Sequence, residues 1–244
     1  HYGTMRSRRH RHGQRLRTAG HRGWSRAGSP DAQALLDIPA DQVRFHRWMQ
    51  LAVPDLMDLR DETKTTQQLY AMDDSFANTR KYGQLCLIAR RMIEAGVPFV
   101  KVARAWWDSH GQNFETHQEL CADLDQSMSV LLDDLHERGL LENTLVITLA
   151  EFGRTPNINA SLGRDHFANA WSASLSGCGI KGGTVYGKTD ADGQKVAEGK
   201  IGAGELFATI FKALGIDPEK EYYIGARPLP LVDFGAKPID AVLA

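Results

Sequence analysis

Acidic side chains are missing from the first 28 positions of this chain, which carry eight arginines instead. Cysteine is scarce: Cys86, Cys121 and Cys178 stand far apart, and no CxxC pair occurs. That spacing excludes a zinc knuckle and a thioredoxin-type motif, and the odd number leaves at least one thiol free. No run of about 18 apolar residues is present, so nothing reads as a membrane-spanning helix. There is no internal repeat and no low-complexity tract past residue 30. The net charge of -1 over 244 residues favours neither nucleic acid nor an acidic partner for the chain as a whole.

Residues 1–30 read as a basic disordered or processing tail. "MRSRRHRHGQRLRTAGHRG" has arginine pairs like a twin-arginine export signal but lacks the apolar stretch of an intact signal peptide. A basic arm can also bind nucleic acid or a membrane surface, but such an arm is more often a disordered tail or a processing segment. The tail histidines His1, His10, His12 and His21 lack acidic neighbours and are not read as ligands.

What is present suits a folded α/β protein: 42% of residues are hydrophobic, enough to bury a core. Residues 31–80 read as a helical segment, and 81–244 as an α/β domain. "YGQLCLIARRMIEA" has apolar residues at helical spacing and stops at Gly96. "VPFVKVARAWW" then reads as a strand. The next unit repeats the order. Leu120, Leu124, Met128, Leu131, Leu132 and Leu135 form one helical stripe, Gly139 ends it, and "LLENTLVITLA" is a continuous apolar strand. Alternating helices and strands predict a doubly wound, mostly parallel sheet with flanking helices. "GCGIKGGTVYGKTDADGQKV" reads as loops and a short hairpin, "GELFATIFKALGI" as a helix, and the end as a short strand or turn with a helical turn.

Ligands of open α/β sheets bind at the carboxyl ends of strands. Two strands here end in polar clusters, "DSHGQNFETH" and "EFGRTPNINASLGRDH". Asp108, His110, Glu151, Arg154, Arg164, Asp165 and His166 could therefore share one rim. Two histidines with two or three carboxylates suit Zn, Mn or Fe, or Mg or Ca with more oxygens. Arg154 and Arg164 offer planar donors for phosphate or sulfate oxygens. The plainer alternative is structural: His110 in a turn, Asp108 capping the next helix, Arg164 and Asp165 as a surface pair. His117 is a helix cap or a group supporting the ligands. Trp106 and Trp107 are core plus rim or a site lining. "TDADGQ" fails as a calcium loop and reads as an Asp-Gly turn at Asp192 and Gly193. "GCGIKGG" does not fit a nucleotide-binding loop.

Long, ordered stretches carry a family resemblance: "CLIARRMIEAGVPFVKV", "WWDSHGQN", "LDDLHERGLLENTLVITLAEFGRTP", "GRDHFANAWSASLSGCGIKGG" and "ARPLPLVDFGAKPIDAVLA". From about Asp55 to Ala244 the chain resembles the bacterial proteins of the domain-of-unknown-function 1501 family. That family is placed in the alkaline phosphatase superfamily, beside arylsulfatases. The resemblance implies a doubly wound α/β fold with one or two divalent ions (Zn, Mn or Ca) at the carboxyl strand ends. It implies hydrolysis of a small or polymeric anionic ester, and a periplasmic or secreted location. By the same resemblance Asp108, His110 and His166 match ligands of a first metal, and Asp125 matches a mid-helix Asp. Glu151 stands where a second-metal Asp would be, with Phe152 in place of the neighbouring His. The strand and nucleophile-bearing helix start expected upstream are not found, so the chain resembles the carboxyl-terminal part of such a protein. A non-catalytic binding or scaffold module of the same fold is the alternative expectation.

Overall fold

Helix-forming stripes and the glycines that end them account for most of the regular structure. The computed structural model describes residues 53–244. The basic tail 1–30 and positions 31–52 of the helical segment lie outside the described residues.

Helix α1 (Lys64–Leu69) starts at Thr63, whose hydroxyl accepts the Thr66 N–H at 3.0 Å. Helix α2 (Ala77–Glu94) buries Thr79, Tyr82, Gly83, Cys86, Leu87 and Arg90, an i, i+3, i+4 stripe. It packs on helix α3 (Asn113–Glu137). Both helices end alike. The Gly96 and Val97 N–H groups return to the Ile93 and Met92 carbonyls, and those of Gly139 and Leu140 to His136 and Leu135. This double bond pattern needs a left-handed residue at the turn, and Gly96 and Gly139 supply it with φ of 86° and 66°. Tyr70, Tyr82, Cys86 and Leu87 form a core cluster, with Val102, Leu124, Val130 and Leu131 against it.

The buried face of α3 differs in detail from the expected leucine stripe. Leu120 and Leu135 are buried, but Asp123 and Ser127 are buried between them. Asp123 is admitted because its carboxylate is fully engaged: Arg104 reaches it at 2.6 and 2.9 Å, and the Thr79 hydroxyl donates to it. Met128 and Leu132 line a groove facing the strand pair described next.

The strand after α3 forms as β1 (Leu145–Thr148), where β-branched residues suit the pleat. Its partner is β4 (Ser174–Gly177), antiparallel, with Leu145 opposite Gly177 and Thr148 opposite Ser174. Strands β2 (Gly153–Arg154) and β3 (His166–Phe167) pair between them. The expected hairpin is β5 (Lys188–Thr189) with β6 (Val196–Glu198). Its Asp-Gly turn is closed by Asp190, whose carboxylate accepts the Gln194 N–H at 2.8 Å. Helix α4 (Ala203–Ala213) follows, then β7 (Glu221–Ile224) with β8 (Arg227–Pro230). The chain end returns to α4, where the Ile239 N–H donates to the Thr209 hydroxyl at 2.9 Å.

The described residues are thus mixed α/β, with their strands in four antiparallel pairs. The expected doubly wound parallel sheet is not seen among them. The segment "VPFVKVARAWW" forms no strand. Its composition favours extended backbone, but a strand needs a neighbour to take its N–H and C=O groups, and none of the described residues offers one. It is held by side chains instead, Val102 on the core and Arg104 on Asp123. No helix of the described residues is long and apolar enough to cross a membrane.

Candidate metal centre

Two loops build the site. One runs from Trp107 to the start of α3, the other from β2 to β3. They lie edge to edge in an irregular ladder. The Arg164 N–H donates to the Ser109 carbonyl at 3.0 Å, and the Asn113 N–H to the Leu162 carbonyl at 2.9 Å. Asn159 clamps the junction. Its amide donates to the His110 carbonyl at 3.1 Å, and its oxygen accepts the Ser161 and Gly163 N–H groups at 2.9 Å. Contact is close at Gly163, where a Cβ would stand 1.9 Å from the His110 carbonyl carbon. Gln112 and Leu162, which flank the ladder, both hold positive φ, 48° and 61°. Such backbone persists only where surrounding bonds over-determine it, and this ladder supplies them.

The ladder brings Asp108, His110 and His166 together, with one potential ligand atom from each within 4.8 Å of the others. The Asp108 Oδ1 atom is the centre. His110 Nδ1 lies 3.1 Å from it and His166 Nε2 3.2 Å. Two ligand atoms on a tetrahedral zinc with bonds of about 2.0–2.1 Å stand roughly 3.4 Å apart, close to the two separations from Asp108 Oδ1, whereas the set as a whole spans up to 4.8 Å, so the two imidazoles draw together to share one ion. All three side chains are about half exposed or more, open to solvent and ligand. The His166 ring sits between the His110 and Phe152 rings, with centroids at 4.8 and 4.3 Å. Phe152 therefore orients the imidazole by packing, although it offers no ligand itself.

Arg154 is the fourth member. Its Nη2 donates to Asp108 Oδ1 at 2.5 Å, and its Nη1 to the Arg164 carbonyl at 3.3 Å. Hydrogen bonds from Arg154 and His166 hold the Asp108 carboxyl below its ordinary value. Asp108 is thus an anion bound to a cation, and not a helix cap: α3 is entered through Gln112 without a side-chain cap.

The remaining predicted residues stand elsewhere. Arg164 turns away and donates to the Thr155 and Pro156 carbonyls at 2.6 and 2.5 Å. Asp165 accepts from the Asn159 amide at 2.9 Å. Both hold the loop and do not face the Asp108 cluster. Glu151 is exposed and outside the triad, as is Asp125, which lines the groove between α3 and β1. His117 lies one turn into α3. Its Nδ1 is 2.9 Å from the Asn113 carbonyl and 3.2 Å from the hydroxyl of Ser109, the residue between Asp108 and His110. The Ser109 hydroxyl also donates to Asn113 Oδ1 at 3.1 Å. His117 thus supports the ligand loop from behind, with Trp107 edge-on at 5.5 Å.

Sequence reasoning missed Asn159, Ser109 and Gly163. The signal for the last two was their position, inside "DSHG" and "LGRDH". Asn159 had little: its Ser161, Gly163 and Asp165 partners are local, but the His110 carbonyl that makes it a clamp is 49 residues away.

No curated protein and no solved structure matches the chain. The family described as "Protein of unknown function (DUF1501)" matches residues 2–243, which takes in both site loops and nearly all of the sequence. The chain belongs to the DUF1501 family.

Proposed function

We propose that the chain is a metal-binding, hydrolase-like protein of the alkaline phosphatase and sulfatase kind, acting on a sulfate or phosphate ester. The observation that carries this reading is the convergence of Asp108, His110 and His166 on one exposed point. One carboxylate and two imidazoles suit Zn or Mn better than Ca, which asks for more oxygens. A divalent ion held there would supply Lewis-acid polarisation of an ester oxygen or an activated water. Asp108 supplies the negative charge that holds it, and His110 and His166 supply ring lone pairs. Phe152 and the Asn159 clamp fix the two histidines relative to each other. Arg154 is the group that can meet an anionic ester. Glu151 stands outside the triad, so the reading takes one ion rather than two. The superfamily's doubly wound sheet and an exported location belong to the same proposal, supported by the shared motifs alone.

The test is elemental analysis after exposure to Zn, Mn or Ca, with hydrolysis assays on nitrophenyl sulfate and phosphate. Bound metal and a loss of thermal stability in chelator are expected. Metal-free protein with full stability in chelator overturns the reading.

A second reading, a non-catalytic metal-binding scaffold, is favoured by how the arginines are spent. Arg154 is engaged with Asp108, and Arg164 with two carbonyls. The Ser109 hydroxyl is buried and already bonded to Asn113 and His117, so it is not placed as a nucleophile. His166→Ala separates the two readings: an enzyme loses ester hydrolysis, a scaffold loses metal and at most stability.

A further inference from the structure

We propose that the Arg154 guanidinium competes with the metal for Asp108, and that this exchange couples metal binding to binding of an anion of the sulfate or phosphate type. The inference rests on the metal reading of Asp108, His110 and His166 given above. Three nitrogens now crowd a single carboxylate oxygen: Arg154 Nη2 at 2.5 Å, His110 Nδ1 at 3.1 Å and His166 Nε2 at 3.2 Å. A carboxylate oxygen has two lone pairs, so this oxygen is over-subscribed. The shortest of the three contacts is a charge-assisted bond from the one permanent cation. A metal that takes Asp108 must weaken that bond and place a second cation beside Arg154.

Charge then points to the anion. With neutral imidazoles, Asp108 and Arg154 sum to zero. A divalent ion raises the cluster to +2, and the released guanidinium keeps its planar fork of donors, which matches a tetrahedral oxyanion. A dianion restores neutrality and relieves the repulsion between ion and arginine. Anion and metal should therefore strengthen each other's binding by the same factor, since coupling between two sites is reciprocal. Room for the exchange exists. Asp108 is 65% exposed, and the second bond of Arg154, to the Arg164 carbonyl, is long at 3.3 Å.

The experiment is calorimetric titration of the full chain with Zn²⁺, with and without sodium sulfate, for the wild type, Arg154→Met and Arg154→Lys. In the wild type, sulfate tightens Zn²⁺ binding by on the order of tenfold. Arg154→Met, which loses the competing cation, binds Zn²⁺ more tightly than the wild type without sulfate and shows no sulfate effect. Arg154→Lys keeps the charge and retains part of both behaviours. Unchanged or weaker Zn²⁺ binding by Arg154→Met overturns the inference, as does a sulfate effect that survives the substitution. If the variants fail to fold, the wild type alone still decides: Zn²⁺ binding indifferent to sulfate overturns the coupling. A wild type that binds no Zn²⁺ sinks the metal reading itself, which is a distinct outcome.

Discussion

At the scale of single residues, the site depends on few atoms. His166→Ala removes one of three ligands and leaves Asp108 with one imidazole, so metal affinity should fall on the order of a hundredfold or more. Glu151→Gln should leave it unchanged, because Glu151 lies outside the triad. Titration calorimetry on both variants checks the pair, and equal losses would remove the distinction drawn between them. Gly163→Ala is the sharper probe. A methyl there meets the His110 carbonyl carbon at 1.9 Å, so the two loops must separate. Metal binding should be lost while the helices, which meet this junction only through the Asn113 N–H at the start of α3, keep their circular dichroism.

Elements set the next level. Helix α2 carries a buried guanidinium, Arg90, with Glu62, Glu94 and Asp134 each at 2.9 Å. Such a cluster is costly to break from one side, because the partners are left uncompensated. Arg90→Ala should cost about 3–5 kcal/mol, read as a shift of the urea midpoint. Glu62 gives the matching pH dependence. Burial pushes its carboxyl up, but hydrogen bonds from Arg91 and Arg90 and their charges outweigh burial and leave it below its ordinary 4.5. The stability it adds is fully present above that ordinary value and is lost as pH falls through the lower folded one. Glu62→Gln should therefore flatten the acid limb of the stability profile measured by urea unfolding. The thiols report the same packing. Burial pushes the Cys86 thiol up to about 12, whereas Cys121 is exposed on α3. A thiol reagent near neutral pH should label Cys121 in the native protein, and Cys86 only after unfolding.

Over the whole molecule, metal and stability are linked. Three ligands from two loops 58 residues apart in sequence come together only when the fold is made. An ion that binds the folded state alone stabilises it by about 2.7 kcal/mol at a hundred times its dissociation constant. Saturating Zn²⁺ should thus raise the melting temperature of the wild type and leave His166→Ala unmoved.

Local signals were enough for much of this protein. The periodicity of α2 and α3, the glycines that close them, the apolar run of β1 and the Asp-Gly hairpin are all written in short windows of sequence, because helix stripes, left-handed caps and tight turns depend on near neighbours. So was the pairing of Asp108 with His110, two residues apart. Tertiary structure alone decided the rest. It left "VPFVKVARAWW" without a ladder partner, set Asp123 inside α3's buried face because Arg104 could reach it, and paired β1 antiparallel with β4. It also sorted the charged residues of "AEFGRTPNINASLGRDH". His166 and Arg154 went to Asp108, Arg164 and Asp165 into holding the loop, and Glu151 to solvent. These outcomes depend on contacts between residues tens of positions apart, where pairing, burial and charge compensation are settled by which surfaces meet.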